Sequence, residues 1–291
     1  MIRISHRGIS YAVLALTYLP ATLLGITVFF ACGGMPLFCA LLIADVAATV
    51  VVYLASLLFG NASAYDPYWS VQPPVIVSAF ALGLGRLTLW DVLLLLAIWY
   101  WGIRLTPNWA YTFGGLTHED WRYRMLRQRT GKAFWLVSLL GIHMFPTLVV
   151  YACILPAVYA LFDGGAGNAL TVLGVILSLF ATTLQMISDI QMQSFRKSGC
   201  GGFIRTGLWR YARHPNYLGE ILMWWGIALA SLSRLPLLMW PLCLGAAVNT
   251  AMFLLISIPM ADRRQAKKEG YALYFSETRS LIPLPRVRKE K

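Results

Sequence analysis

"ALTVLGVILSLFATTLQMISDI", residues 169–190, carries one charged side chain, Asp189, and is otherwise apolar or small for most of its length. A hydrocarbon core about 30 Å thick is crossed by about 20 mainly apolar residues in a helix. Only a helix or a closed barrel satisfies its own backbone there. This stretch is therefore a spanning helix, and it decides the fold. The same length test applied outward gives further spans at 9–31, 36–59, 71–87, 88–103, 133–161, 217–233 and 236–259. The third and fourth are short and nearly continuous: two tilted helices, or one spanning helix with a broken neighbour. The expected fold is an all-α polytopic membrane bundle of seven to eight transmembrane helices, a single integral membrane domain over residues 1–291.

Composition agrees. Of 291 residues, 58% are hydrophobic and 12% charged, against about 25% charged in a soluble domain, and the mean hydropathy is +0.65. All but two of the 24 Lys and Arg residues fall at the N-terminus (Arg3, Arg7), in 104–132, in 191–216 or after 260; the exceptions are Arg86 and Arg234. Eight spans place every basic segment on one side, and the positive-inside rule makes that side, with both termini, cytoplasmic. The net charge of +12 is then a topology signal rather than a nucleic-acid footprint.

The apolar run from Ile9 is too long for the core of a cleavable signal and reads as a retained first span. There is no internal repeat, low-complexity linker or soluble domain. Five scattered cysteines without CxxC spacing suggest neither a disulfide framework nor zinc. Four isolated histidines exclude histidine-cluster di-iron chemistry. No metal is expected.

Polar residues at membrane depth are costly and carry the functional reading. Asp45 and Asp91 stand singly on apolar helices, where a partner on a neighbouring helix is the expected role. In "LQMISDIQMQSFRK" (184–197), Gln185, Asp189 and Arg196 share one helical face over roughly 16 Å. In "GLWRYARHPNYLGE" (207–220), a helix should begin at Pro215, capped by His214 or Arg213, since proline suits the first helical turn. Asn216 and Glu220 then lie four apart on one face, with Trp224 a turn later and Tyr217 beside them. Arg205, Arg210, Arg213, Arg196 and Lys197 gather around that helix start, a natural anion site, and Arg104 is a further source of charge. Together they describe a pocket for a polyanionic ligand that reaches into the membrane.

"RHPNYLGE" followed by "WWG" resembles the C-terminal signature of the steroid 5α-reductase-like membrane proteins, whose bacterial branch carries the label DUF1295. The likeness extends through "NASAYDPYWSVQPP", "WYWGIRLTPNWA", "HEDWRYRMLR", "SDIQMQSFR" and "YALYFSETRSLIPLP", so it covers most of the chain. Sterol C14 and Δ7 reductases carry a similar motif. A looser R-H-P-x-Y occurs in isoprenylcysteine carboxyl methyltransferases, which use S-adenosylmethionine.

The resemblance implies an NADPH site in the C-terminal half (133–291), open to the cytoplasm, and a lipid-soluble substrate entering from the bilayer toward the helices and loop of 1–132. By matched motif positions it assigns cofactor contacts to Arg104, Gln185, Asp189, Arg196, Asn216, Tyr217 and Glu220; Arg210 and His214 belong to the same basic, aromatic helix start. It also implies a multi-pass protein of the bacterial inner membrane. The chain departs from the family at the group that polarises the substrate ketone. "SVQPPV" offers Gln72 but no following glutamate, and Trp101 takes a tyrosine's approximate place with Tyr100 beside it. Asp66, Gln72 and Tyr100 are therefore the catalytic candidates, with Tyr65 and Tyr68 nearby. The expected reaction is hydride transfer from NADPH to a conjugated double bond of a sterol, terpenoid or other lipid. A methyltransferase using S-adenosylmethionine and a lipid-binding or transport protein stay open as alternatives.

Overall fold

The computed structural model describes residues 4–163 and 165–284. Arg3, Pro285 and the basic residues from Arg286 onward lie outside the described residues. In order come α1 (Arg7–Ala31), α2 (Leu37–Phe59), α3 (Tyr68–Gly83), α4 (Leu89–Thr112), α5 (Trp121–Thr130), α6 (Phe134–Val137), α7 (Phe145–Asp163), α8 (Ala169–Lys197), α9 (Pro215–Leu232), α10 (Leu244–Met252), α11 (Ile258–Gln265) and α12 (Tyr271–Glu277). No β-strand occurs among the described residues; Ala212 and Arg279 form an isolated bridge.

Local chemistry sets the ends. The chain leaves α2 through Gly60 at φ +66, the left-handed conformation glycine adopts without a Cβ penalty. Asn168 and Thr171 cap the start of α8 reciprocally. Helix α9 begins with Pro215 in its first turn and His214 at the cap. π-helical segments at Ser138–Met144 and Phe253–Ser257 sit inside two longer helical runs, Trp121–Asp163 and Leu237–Gln265.

Six of the described helical runs are long and apolar enough to cross a membrane. The windows at 71–87 and 217–233 fall on shorter helices, α3 with 16 residues and α9 with 18, about 24 and 27 Å long. Windows three and four are two helices separated around Gly85, at φ +62. The segment 104–132, expected as a loop, is mostly helical: α4 runs on through Arg104 to Thr112, and α5 follows. Hydropathy ends a span at Arg104, but that side chain is buried and satisfied by protein groups, so the helix continues.

The chain divides into two compact units. The first comprises residues 1–79 and 105–155, the second 80–104 and 156–291. In the first, α1 packs on α2 with Gly25 against Ala44 and Ala48, while Leu16, Leu19, Leu23 and Phe30 on α1 are exposed, as suits a lipid-facing helix. In the second, α8 and α9 approach closely along their length. A Cβ on Gly226 would stand 2.3 Å from Ser178 Oγ, one on Gly174 2.4 Å from the Ala230 nitrogen, and one on Gly219 2.6 Å from the Ala181 carbonyl. Small residues are how helices associate where the solvent is itself apolar. At the other end of this pair Asp91 receives Arg234 Nη2 at 2.8 Å, with both side chains buried, and accepts from Thr88 N and Oγ1. The expected structural partner of Asp91 is thus Arg234, one of the two basic residues outside the positive clusters.

Candidate functional site

In the second unit the polar stripe of α8 meets the face of α9 that carries Asn216 and Glu220. Arg104, from α4, donates Nη1 to Gln185 Oε1 and Nη2 to the Gln185 carbonyl, both at 3.0 Å, and Nη2 also donates to Asp189. Asn216 Nδ2 donates to Asp189 Oδ1 at 3.1 Å, and Gln185 Nε2 donates to Glu220. Glu220 also accepts from Trp101 Nε1 and Trp224 Nε1, each at 2.9 Å, and the two indoles meet edge to face. Five of the nine expected cofactor residues therefore form one continuous, largely buried hydrogen-bonded network.

Its logic follows from the donor inventory. Glu220 takes three donors, so it is held as an acceptor in an otherwise apolar setting. A glutamine has one acceptor and two donor hydrogens. With Oε1 pinned by Arg104 and Nε2 by Glu220, Gln185 has a fixed orientation. Arg104 neutralises Asp189 where an unpaired carboxylate would be expensive. Helix spacing explains the assembly: Trp101 and Arg104 are three apart on α4, Gln185 and Asp189 four apart on α8, and Glu220 and Trp224 four apart on α9. One turn before Gln185, Thr182 is buried and its hydroxyl has no hydrogen-bond partner.

The other four expected cofactor residues lie around this network in the same unit. Arg196 is exposed in the last turn of α8, and Arg210 is exposed before α9. Tyr217 stacks flat on His214, with ring centroids 5.2 Å apart and an interplanar angle of 7°. His214 Nε2 lies 3.0 Å from Asp262. Asp262 also takes Tyr271 and, more loosely, Arg213, while Arg213 donates to the Thr278 carbonyl at 2.7 Å. These contacts tie α11 and the segment after it to the start of α9. Arg213 and His214 are thus partly structural, fixing where α9 begins.

The catalytic candidates separate. Tyr100 belongs to the second unit, where its hydroxyl pairs with Thr183 Oγ1 at 3.1 Å; Trp101, one residue on, is the neighbour that joins the network. Asp66 and Gln72 belong to the first unit. Asp66 receives the Tyr123 hydroxyl and lies 3.7 Å from Arg122. Burial pushes its carboxyl up to about 6, against the opposing pull of Arg122. Gln72 is buried with both amide atoms lacking a hydrogen-bond partner.

The first unit also holds buried polar contacts that sequence reading did not reveal. Tyr65 hydroxyl pairs with Thr147 Oγ1 at 2.8 Å, and Thr147 with Thr49 at 3.1 Å. His143, within the π-helical segment, links Ser56 Oγ at 2.9 Å to the Ser138 carbonyl at 2.8 Å and packs against the rings of Tyr53 and Tyr65. Asp45, Thr49, Tyr53 and Ser56 recur at helical spacing on α2, and that periodicity is the signal that could have found them. Among the described residues no three His, Cys, Asp or Glu side chains come together as a metal site.

A protein of Schizosaccharomyces pombe, "Uncharacterized protein C594.04c", is 29% identical over 206 residues. The match covers 60% of this chain and 58% of the relative, so the chain spans less than two thirds of that protein's length. No solved structure matches the chain. Residues 52–278 match the family model described as "Protein of unknown function (DUF1295)", and with most of its length inside that match the chain belongs to this family.

Proposed function

We propose that this chain is a membrane-embedded, NADPH-dependent reductase acting on a conjugated carbon–carbon double bond of a lipid such as a sterol or terpenoid. The observation that carries the reading is the buried network joining Arg104, Gln185, Asp189, Asn216 and Glu220. Its donor set suits a dinucleotide phosphate. Carboxylates and amides pair with ribose hydroxyls and a carboxamide, and the exposed guanidinium groups of Arg196, Arg205 and Arg210 are the groups that bind phosphates. The resemblance of "RHPNYLGE" and its companion motifs to steroid 5α-reductase-like proteins supports the same assignment.

NADPH, when bound, supplies the hydride. The chain's own residues bind and orient. Asp189, Asn216, Gln185 and Glu220 would hold the nicotinamide-ribose end, with Arg104 keeping the two carboxylates compatible with burial. Arg196 and Arg210 would take phosphates, and the stacked His214–Tyr217 pair would supply a flat face. Asp66, Gln72 or Tyr100 would hydrogen-bond the substrate, and Asp66 or Tyr100 would hold the proton that completes reduction. On the positive-inside rule the cofactor end faces the cytoplasm.

Thermal unfolding of detergent-purified protein with NADPH or S-adenosylmethionine tests this. A ligand at 100 times its Kd stabilises a fold by about 2.7 kcal/mol, which is readable without knowing the substrate. NADPH is expected to raise the Tm, Asn216→Ala to abolish that rise, and Arg196→Ala to weaken NADPH more than NADH. Stabilisation by S-adenosylmethionine instead would make the chain a methyltransferase.

A further inference from the structure

The buried acids of this protein divide into two kinds. Asp91, Asp189 and Glu220 all have cations, amides, hydroxyls or indoles on their oxygens. Asp45 does not. It lies on α2 some eight residues from the start of a 23-residue helix, deep in the span, and is 3% exposed. Neither of its carboxyl oxygens has a hydrogen-bond partner. Gln72, from the first turns of α3 and 6% exposed, lies beside it without completing a hydrogen bond, so its own Nε2 and Oε1 are also unpartnered. Tyr65 and Tyr68 lie near Asp45, and Tyr65 is held in place through Thr147.

Buried polar groups in folded proteins are nearly always hydrogen-bonded, and polar groups at membrane depth persist where they face a ligand path. Two adjacent buried side chains with four unpartnered polar atoms between them exceed what packing explains. We propose that Asp45 and Gln72 together form a binding site for the oxygen function, a carbonyl or a hydroxyl, of an otherwise apolar, membrane-soluble molecule. Asp45 offers acceptor oxygens and, when it carries a proton, one O–H donor, and Gln72 offers two N–H donors and an acceptor. That set completes the hydrogen bonds of a single oxygen while the surrounding helices accept hydrocarbon. The inference rests on the reductase reading only in calling that oxygen the substrate's.

The test is thermal unfolding in detergent with cholest-4-en-3-one, cholesterol and 5α-cholestane, on wild type, Asp45→Leu, Asp45→Asn and Gln72→Leu. The ketone, the alcohol or both should stabilise wild type beyond cholestane. Asp45→Leu and Gln72→Leu should lose that difference, with apparent affinity at least tenfold weaker. Ligand-free Asp45→Leu should melt no lower than wild type, because the leucine removes unsatisfied groups, and Asp45→Asn keeps the shape if the leucine fails to fold. The proposal is overturned if cholestane stabilises as well as the oxygenated probes, if their shift survives in both leucine variants, or if ligand-free Asp45→Asn and Asp45→Leu both melt lower, the mark of a structural aspartate. NADPH stabilisation, read in the same samples, tests the cofactor assignment separately: its absence alongside an Asp45-dependent oxygen response would sink that assignment and leave this site standing.

Discussion

Asp66 should make the folded protein less stable as pH rises from 4 to 7. Its carboxyl lies in the segment between α2 and α3, 13% exposed, and burial raises it from 3.8 to about 6. Between those values the folded state holds a proton that the unfolded chain has released, so stability falls with increasing pH. The contribution is fully present below about 3.8 and lost as pH passes through about 6. The gap is worth about 3 kcal/mol, at about 1.36 kcal/mol per pH unit. Asparagine is never ionised and can still accept the Tyr123 hydroxyl. The Tm of Asp66→Asn minus that of wild type should therefore grow by roughly 6–12 °C between pH 4 and pH 7, taking about 2–4 °C per kcal/mol. Intrinsic tryptophan fluorescence during heating reads this directly. Arg122→Gln removes the guanidinium that opposes the shift, so it should extend the loss of stability to higher pH. A difference that stays flat, or a wild type that gains on the asparagine variant as pH rises, would refute the reasoning.

Two further substitutions probe the second unit. Removing one partner of the buried Arg234–Asp91 pair, as in Asp91→Ala, should cost about 3–5 kcal/mol, whereas replacing both by leucine should cost less, because no charge is stranded; a double-mutant cycle by denaturation checks it. Gly226→Ala places a Cβ within 2.7 Å of backbone and side-chain atoms of α8, so it should destabilise by about 1–3 kcal/mol. It should also weaken NADPH-dependent stabilisation, since it disturbs the contact that sets Asp189 against Asn216; unchanged stabilisation would show that the network does not depend on that contact.

Much of the fold was legible because membranes impose length. Each apolar window falls on a helix, and Pro215 marks the start of α9 because proline fits a first turn. The ends were less legible. Hydropathy stops α4 at Arg104, but the guanidinium is satisfied by Gln185 and Asp189, whose positions no local pattern reveals. The Arg234–Asp91 pair joins residues 143 apart in sequence, and only packing brings them together. Trp101 and Trp224 look like ordinary lipid-phase aromatics until Glu220 is found between their indole nitrogens. Asp45 could have been seen with Thr49, Tyr53 and Ser56 as a stripe, yet periodicity gives no sign that its oxygens would lack partners.

That last distinction bears most directly on function. A buried hydrogen-bonded charge is ambiguous: Arg104 and Asp189 would be needed to close the α4–α8 contact whether or not any ligand binds there. Their network contributes to stability, so mutational damage alone cannot separate a cofactor role from a structural one, and a ligand-dependent shift is required. An unsatisfied buried group has the opposite character. Each costs about 1–3 kcal/mol, so Asp45 and Gln72 subtract from stability, and leucine at either position should return part of it. Sites that sacrifice stability for activity behave in this way. If the leucine variants are at least as stable as wild type and bind the oxygenated probes less well, the two residues belong to the ligand and not to the fold.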